Sequence, residues 1–379
     1  MPPFRRTLRK LLVSLHTWVG LFGGLFVAIL AFSGGVVTFR PQIANLLSPP
    51  PAQTTNCVPS MDWNRAEKEI EDFAHTRINR IYAPTGADFR YRFRMTTDQD
   101  SIFTHVIYDA CAAKVLGTAN LAWMDWLVDF HHNLRAEKTG RFWAGWIGAL
   151  LLLSGVGGIS IWVISNPSVK KFFRIRSGPF MPRDLHSFTG VLAGCLLIVG
   201  SFTSLWLCFP QTMRAALKLV APLPDDVRAP RLPRPAKDTP RAGLGDIMSA
   251  AQDALPDGSI REIRLPETYG NVQVRMWRQG DFRSLGNNVV TVDNVTARVV
   301  ATNLYEDKGP GDRIVQAMAG IHYGEWGGTL VRSIYGLAGL ASALLLVTGF
   351  LLWWIPKRRA TPRTAKESIP EPESIVSHS

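Results

Sequence analysis

The stretch LLVSLHTWVGLFGGLFVAILAFSGGVVTF, residues 11–39, decides the fold class of this 379-residue chain. It carries no charged side chain and exceeds the ~20 apolar residues that an α-helix needs to cross a bilayer. Residues 142–165, 185–209 and 333–355 form three further apolar runs of comparable length. Four such runs, separated by polar segments, predict four transmembrane helices.

A secretory signal is the alternative for the first run, because Arg5, Arg6, Arg9 and Lys10 precede it. The apolar region of a signal spans only about 7–15 residues and ends at a cleavage site with small residues. This run is longer, and the Pro-rich sequence at 48–51 is a poor cleavage context. We therefore expect an uncleaved helix.

Clusters of basic residues predict the orientation of the helices. They precede the first run, fill the short link between the second and third runs, and follow the fourth run. The positive-inside rule places all three clusters, and both termini, in the cytoplasm. Since these clusters account for most of the formal charge of +12, the charge is no argument for nucleic-acid binding.

The predicted fold class is an α-helical membrane protein with four transmembrane helices in two repeats and two α+β periplasmic domains. The predicted segments are a basic N-terminus (1–10), TM1 (11–39), outer domain 1 (40–140), TM2 (141–165), a cytoplasmic loop (166–184), TM3 (185–209), outer domain 2 (210–331), TM4 (332–355) and a disordered cytoplasmic tail (356–379).

Both outer segments show one plan, a helix followed by strands. The expected helices are 63–73 and 244–255, and the expected strands are 79–83, 89–95, 102–109, 259–265, 271–278 and 288–293. VIYDACAAKVLGT (106–118) matches VTVDNVTARVVAT (290–302), each predicting a hairpin with an Asp at the turn. The Pro-rich stretch 221–240 is predicted as a linker.

The predicted spans also repeat, and they repeat their histidines. HTWVG (16–20) in the first span corresponds to HSFTG (186–190) in the third, and a constant offset that aligns the second and fourth spans places His131 on His322. By the predicted topology, His16 and His186 lie at the cytoplasmic face, and His131 and His322 lie at the outer face.

Paired histidines on facing helices are able to hold a haem iron from both sides. Gly20 and Gly190, four residues after His16 and His186, are predicted to leave room for a flat macrocycle, and Gly324, Gly327 and Gly328 are candidates for the same role near His322. The chain has no C-x-x-C-H motif, so the pattern indicates b-type haem, two per chain. His132 has Tyr323 as its counterpart and is a spare ligand or a supporting group.

The same side chains also fit simpler roles. A single histidine near a helix end usually anchors the helix at the interface, and a proton relay lacks acidic or lysine side chains in the middle of the helices. Zinc sites favour clustered ligands. Trp143, Trp146 and Trp326 are expected to be interface anchors. Arg135, Arg141, Arg183 and Arg332 are candidate partners of haem propionates or plain anchors.

The four cysteines give little direction. Cys57 and Cys111 fall in the same outer segment, where an oxidising compartment would allow them to form a disulfide. Cys195 and Cys208 lie in the third span without metal-ligand spacing and are expected to be buried apolar residues.

The sequences RTLRKLLVSLHTWVG (6–20), FHHNL (130–134) and DLH (184–186) resemble the PepSY-associated transmembrane family over nearly the whole chain. The resemblance implies two PepSY-like outer domains and b-type haems, with the family's histidines at His16, His131, His186 and His322. The family often has Leu-His-Arg where this chain has His131-His132, so the choice between these two ligands stays open.

The family includes bacterial inner-membrane ferric-siderophore reductases. The resemblance therefore implies electron transfer from a cytoplasmic or membrane donor, a flavin or quinol, to a periplasmic ferric siderophore or similar iron chelate. Two rival hypotheses are a non-catalytic membrane protein whose PepSY-like domains bind or regulate periplasmic partners, and a transporter of iron chelate or haem. The absence of intramembrane charge weakens the transporter hypothesis.

Overall fold

The computed structural model describes residues 3–47, 52, 60–85, 88–97, 102–165, 172–223, 231–236, 239–265 and 270–358. The helices are α1 (Pro3–Phe22), α2 (Gly24–Thr38), α3 (Arg40–Leu47), α4 (Trp63–Ala74), α5 (Ala122–Asn133), α6 (Glu137–Ser165), α7 (Met181–Cys208), α8 (Pro210–Lys218), α9 (Leu244–Ala254), α10 (Pro310–His322) and α11 (Gly328–Arg358). The strands are β1 (Ile78–Tyr82), β2 (Arg90–Met95), β3 (His105–Asp109), β4 (Lys114–Ala119), β5 (Ser259–Arg264), β6 (Asn271–Trp277), β7 (Asn288–Asp293) and β8 (Val299–Asn303). The predicted disordered tail (356–379) lies outside the described residues except for 356–358, which continue α11 and are therefore helical. Part of the predicted linker (221–240) also lies outside the described residues.

Three continuous helical segments are long and apolar enough to cross a membrane: Glu137–Ser165, Gly178–Cys208 and Glu325–Ile355. They contain the second, third and fourth predicted spans. Each begins several residues before the predicted apolar run, because the helix continues into polar sequence on one side. The chain is thus built around a bundle of membrane-spanning helices.

The first predicted span is not one straight helix. It consists of α1 and α2, which meet at Gly23 with a bend of 71°, and together they pass the same length and hydropathy test. A methyl group on Gly23 would lie 3.0 Å from the carbonyl oxygen of Val19 and 3.2 Å from Leu150 Cδ1. The bend therefore occurs where the backbone presses against α6.

The helices α2 and α11 cross at two glycines. A side chain on Gly339 would meet the carbonyl oxygen of Ala31 at 2.7 Å and Gly35 Cα at 2.8 Å, and one on Gly35 would meet the carbonyl oxygen of Gly336 at 2.7 Å. Small residues allow backbones to approach closely in membranes, where dispersion and weak polar contacts replace the hydrophobic effect. α11 also packs on α7, α7 on α6, and α6 on α1.

The strands form one antiparallel sheet in the order β4-β3-β2-β1-β5-β6-β7-β8. The two segments predicted as separate outer domains therefore join edge to edge. Their junction is the pairing of β1 with β5, which sets Ile81 opposite Ile263 and Tyr82 opposite Glu262. The order of elements is the same on both sides of the junction: a helix, four strands, a short helix and a spanning helix.

One face of the sheet holds the hydrophobic core under α4 and α9. Alternate residues of the central strands point to this face and are fully buried, including Ile81, Phe93, Val106, Ile263 and Val274. These residues share one face because successive side chains of a strand point to opposite faces. The observed strands begin and end within a few residues of the predicted ones. The sequence prediction of the strands and of the two covering helices is confirmed.

The two predicted hairpins have the expected Asp at the turn. Asp109 Oδ1 accepts hydrogen bonds from the backbone N–H groups of Cys111 and Ala112, and Asp293 Oδ1 accepts from Val295 and Thr296. In each turn a later alanine has positive φ, +49° at Ala113 and +53° at Ala297.

The cysteines meet the predictions only in part. Cys111 is disulfide-bonded, and Cys57, its predicted partner, lies outside the described residues. Cys208 is half-buried, whereas Cys195 is exposed on the outside of α7. The prediction that Cys195 is buried is therefore wrong, because this side of α7 faces away from the other helices of the bundle.

The contact of α2 with α11 yields a stability prediction. Gly339→Ala is expected to reduce the free energy of unfolding by about 1–3 kcal/mol, because the added methyl group forces two backbones apart. Gly157→Ala is the matched control, since nothing lies within 4 Å of a methyl group there. Thermal unfolding in detergent, followed by tryptophan fluorescence, measures both. Equal midpoints for the two variants would contradict the close packing.

Candidate functional site: two histidine pairs between helices

The bundle brings the four predicted histidines together as two pairs. His16 on α1 and His186 on α7 have ring centres 6.1 Å apart, with an interplanar angle of 76°. His131 on α5 and His322 on α10 have ring centres 6.3 Å apart, with an interplanar angle of 27°. We call these the inner pair and the outer pair. Their members are the residues that the sequence pattern paired.

Each imidazole of the inner pair is fixed by a hydrogen bond to another helix. His16 Nδ1 lies 3.0 Å from the carbonyl oxygen of Ser154 on α6. His186 Nδ1 lies 3.0 Å from Thr348 Oγ1 on α11 and also meets the carbonyl of Leu345. With the proton on Nδ1 and donated to a carbonyl, Nε2 keeps its lone pair for a metal.

The outer pair is fixed in the same way. His131 Nδ1 lies 3.1 Å from both the carbonyl oxygen of Leu30 and Ser33 Oγ on α2. His322 Nδ1 lies 3.0 Å from the carbonyl oxygen of Gly200 and 3.0 Å from Thr203 Oγ1 on α7. The carbonyl and the hydroxyl belong to residues three positions apart on one helix, so they lie on the same helical face.

The hydrogen-bond partners repeat with the histidines. Along the first and third spans, His186, Gly200 and Thr203 each stand 170 residues after His16, Leu30 and Ser33. Along the second and fourth spans, His322 and Leu345 each stand 191 residues after His131 and Ser154. The four imidazoles are therefore held by equivalent carbonyls in the two halves of the chain.

Glycines let three of the imidazoles rest against a neighbouring backbone. A methyl group on Gly158 would lie 3.1 Å from His16 Cε1, one on Gly349 would lie 3.2 Å from His186 Cε1, and one on Gly34 would lie 2.6 Å from His131 Cε1. Each glycine stands four residues, about one helical turn, after the residue whose carbonyl accepts the hydrogen bond of that histidine. The glycine thus provides the space that the hydrogen bond needs.

The spacing within each pair suits two rings on opposite sides of one metal ion. A metal–imidazole bond is about 2.0–2.1 Å and the ring nitrogen lies about 1.1 Å from the ring centre, so two such rings have centres roughly 6.3 Å apart. The observed separations are 6.1 and 6.3 Å. No cluster of three or more His, Cys, Asp or Glu side chains that suits a metal ion occurs among the described residues. A haem iron needs only two protein ligands, because the porphyrin supplies the other four.

The two pairs lie at opposite ends of the bundle. α7 carries His186 itself, and its Thr203 binds His322, so one continuous helix touches both pairs. Seventeen residues separate these positions, which corresponds to about 25 Å along the helix axis. This distance is comparable with the ~30 Å thickness of the hydrocarbon core.

The short helix α5, which carries His131, is held against the sheet by a buried contact between a histidine and a carboxylate. His105 on β3 is 2% exposed, and its Nε2 lies 2.9 Å from Asp125 Oδ2 on α5. The same carboxylate oxygen accepts the backbone N–H of Phe103. At the other end of α5, Asp129 binds Arg135 at 2.8 Å and Asn133. The first of these contacts hold α5 against β3, and the last ones fix the C-terminal end of α5.

The remaining predicted site residues take various positions. A methyl group on Gly20 would meet nothing within 4 Å, and one on Gly190 would meet Leu345 Cδ2 at 3.6 Å, so both leave space beside the inner pair. Gly324 and Gly328 have φ of +64° and +63° and form the turn into α11, which explains these glycines without a cofactor. The predicted anchors Trp143, Trp146 and Trp326 are each more than half exposed.

His132 lies next to the outer pair without replacing His131 in it. Its ring centre is 5.7 Å from that of His131, whereas His131 is the member that faces His322 and bonds to α2. The geometry therefore favours His131 over His132 as the ligand.

The sequence patterns did not predict the short helices α5 and α10 or the residues that bind Nδ1. The offsets of 170 and 191 contain the missing signal, because they align Ser33 with Thr203 and Ser154 with Leu345. The equivalence of hydroxyls and carbonyls becomes visible only when the helix that faces each histidine is known.

The fold and the site define a membrane protein with several spanning helices, an α+β domain outside the bundle and paired histidines between the helices. The model of the family described as the PepSY-associated TM region matches residues 13–355. The chain belongs to this family. A comparison with curated proteins found no match.

The His105–Asp125 contact predicts a pH effect on stability. Burial lowers the pKa of His105, and the hydrogen bond to Asp125 opposes this only in part. The unfolded chain therefore binds the proton more readily, and stability is lost as the pH falls below about 6.5. We expect His105→Gln, which keeps an N–H donor for Asp125, to lose less stability than the wild type between pH 7 and pH 5. Parallel pH dependences in chemical unfolding would contradict this assignment.

Proposed function

We propose that this chain is a di-haem membrane oxidoreductase that passes electrons from the cytoplasmic side to a periplasmic ferric siderophore, reducing Fe(III) for iron uptake. One observation carries the proposal. Two pairs of imidazoles, at opposite ends of the bundle, have ring centres 6.1 and 6.3 Å apart, and each Nδ1 is held by a neighbouring helix.

The residues present fit haem b at both positions. His16 and His186 would hold one iron, and His131 and His322 the other. A bound haem would supply one-electron chemistry, and with both histidines of a pair as its ligands it would relay electrons and not activate oxygen. The protein's own part is to fix the ligand tautomer through the Nδ1 hydrogen bonds and to exclude water by burying the imidazoles between helices.

The proposed topology has four spans in two repeats, with the bent pair of α1 and α2 as the first span. The basic residues around the spans support a cytoplasmic location of both termini by the positive-inside rule, and the proposed membrane is the inner membrane of a bacterium. The inner pair then faces a cytoplasmic or membrane donor, such as reduced flavin or quinol. The outer pair lies on the side of the sheet, where a chelate would arrive.

A ferric siderophore is the favoured acceptor on chemical grounds. Its hard oxygen ligands prefer the higher charge of Fe(III), so reduction to Fe(II) weakens the chelate and makes the iron available to softer ligands. The family relationship is also compatible with a non-catalytic protein that binds periplasmic partners and with a transporter of chelate or haem. Neither of these functions requires imidazoles in pairs with their Nδ1 atoms held, and this is the reason to favour electron transfer.

The purified protein is expected to contain two low-spin b-type haems per chain, because four ligands serve two irons. The measurement is a reduced-minus-oxidised visible spectrum with haem quantitation after expression with ample haem. A colourless protein would favour the non-catalytic alternative. Uptake of chelate by vesicles without a reductant would favour the transporter.

Single substitutions are expected to remove the haems one at a time. His16→Ala or His186→Ala should leave about one haem per chain, held by the outer pair, since each iron needs both of its axial ligands. His131→Ala or His322→Ala should leave the haem of the inner pair. Redox titration distinguishes the two remaining centres. Two full haems in each single variant would show that the ligand assignment is wrong.

His132→Ala separates the two adjacent histidines. Because His131 faces His322 and is bound to α2, the His132→Ala variant should retain both haems, whereas His131→Ala should lose one. Haem content per chain, measured on both variants, decides between them. The opposite result would make His132 the ligand.

A further inference from the structure

The face of the sheet opposite the α4–α9 core is lined with arginines. Alternate residues of adjacent strands place them side by side: Arg80 is paired with Arg94 and Arg264, Tyr82 with Arg92 and Glu262, and Glu262 with Arg275. We call this surface the arginine face. It consists of Arg80, Arg92, Arg94, Arg264 and Arg275. Among the described residues, no membrane helix packs extensively against these strands.

The arginine face has more positive charge than the protein neutralises. The only carboxylate in these strand pairings that faces the five arginines is Glu262, which is 1% exposed and is shared by Arg264 at 2.8 Å, Arg80 at 3.1 Å and Arg275 at 3.4 Å. Burial would raise the pKa of Glu262, but these three arginines outweigh burial and hold its pKa below the ordinary value, so Glu262 is ionised at neutral pH.

Two of the arginines, Arg92 and Arg94, form no ion pair among the described residues. The carboxylate whose charge acts on both is Asp125, which is already bound by His105 and by the backbone N–H of Phe103. The Arg92 guanidinium lies 4.2 Å from the centre of the Tyr82 ring, and the Arg94 guanidinium lies 3.9 Å from that of Phe103. Arg94 also donates to Asn79 Oδ1 at 2.8 Å. Burial lowers the pKa of both groups. A desolvated cation that forms no ion pair is costly, and an anionic ligand would reduce that cost.

Side-chain contacts link the arginine face to α5 on one side and to the segment that follows α10 on the other. On one side His105, paired with Arg94 across the strands, reaches Asp125 on α5, and Arg92 lies within electrostatic reach of Arg40. On the other side the positive charge of Arg283 helps to lower the pKa of Arg275, and Arg283 forms an ion pair with Glu325 at 3.3 Å. Glu325 follows His322 by three residues. The arginine face is thus connected to the segments that carry or follow the two outer histidines.

We propose that the arginine face binds the iron chelate, and that the chelate is an anion whose carboxylate or catecholate oxygens are recognised by Arg92 and Arg94. This inference rests on the proposed function and names the substrate class. The guanidinium fork suits such oxygens because it donates parallel hydrogen bonds. The excess positive charge would attract anionic chelates and repel cationic ones.

Isothermal titration of the full chain in detergent with gallium(III) citrate tests the binding. Gallium(III) has the charge of Fe(III) and is not reduced under these conditions, so the measurement does not depend on electron transfer. The wild type is expected to bind this anionic complex and not hexaamminecobalt(III), a cation. Arg92→Gln and Arg94→Gln should each raise the dissociation constant by roughly threefold or more, as expected for loss of one charge from a steering cluster. Arg92→Lys keeps the charge but loses the guanidinium fork, so it should weaken binding less than Arg92→Gln does.

Arg65→Gln is the matched control, because Arg65 lies on α4, on the opposite side of the sheet, and its side chain is 58% exposed. It removes the same charge and should leave the dissociation constant unchanged. Absence of binding to the wild type, equal binding of the cation, or equal weakening by Arg65→Gln would overturn the proposal. Loss of a haem from Arg92→Gln or Arg94→Gln would also overturn it, since these arginines would then hold haem propionates. Binding of the gallium complex by a protein without haem would support this site while removing the proposed function.

Discussion

The structure depends on a hydrogen bond from histidine Nδ1 to the backbone of a different helix. A buried imidazole without a partner is costly, so each of these four histidines ties the helix that carries it to a second helix. His16 joins α1 to α6, His186 joins α7 to α11, His131 joins α5 to α2, and His322 joins α10 to α7. The same bond fixes the ring orientation and leaves Nε2 as the ligand atom. Packing and chemistry are therefore determined together.

The two halves of the chain differ at several equivalent positions. Gly23 bends the first span by 71°, whereas its counterpart at the offset of 170, Ala193, lies inside the continuous helix α7. Gly34 leaves room for the His131 ring, whereas Ser204 stands at the equivalent position of α7. His132 corresponds to Tyr323. These differences all concern the first span or the outer pair, so the inner pair is the more symmetric of the two.

Much of this architecture was predictable from the sequence. Apolar runs predicted the spanning helices, since length and the absence of charge are local properties, and alternation predicted the strands. The bend at Gly23 was not predictable, because it depends on the contact with Leu150 on α6. The histidine pairs were predictable as a pattern of equivalent positions. Their hydrogen bonds to Leu30, Ser154 and Gly200 were not predictable. Every residue has a backbone carbonyl, so the residue type does not show which carbonyl accepts the bond.

The joining of the two outer segments into one sheet gives a physical reason for the position of Glu262. At the junction of β1 and β5, Arg80 of the first segment and Arg264 of the second meet, and like charges on directly opposite residues destabilise a sheet. The buried carboxylate of Glu262, next to both, offsets this repulsion. Glu262 thus stabilises the junction, while Arg92 and Arg94, further along the first segment, share the influence of one carboxylate, Asp125, which His105 already binds. Three arginines of this face form ion pairs with Glu262 and two form none. This unequal pairing across one face is the feature that points to a ligand.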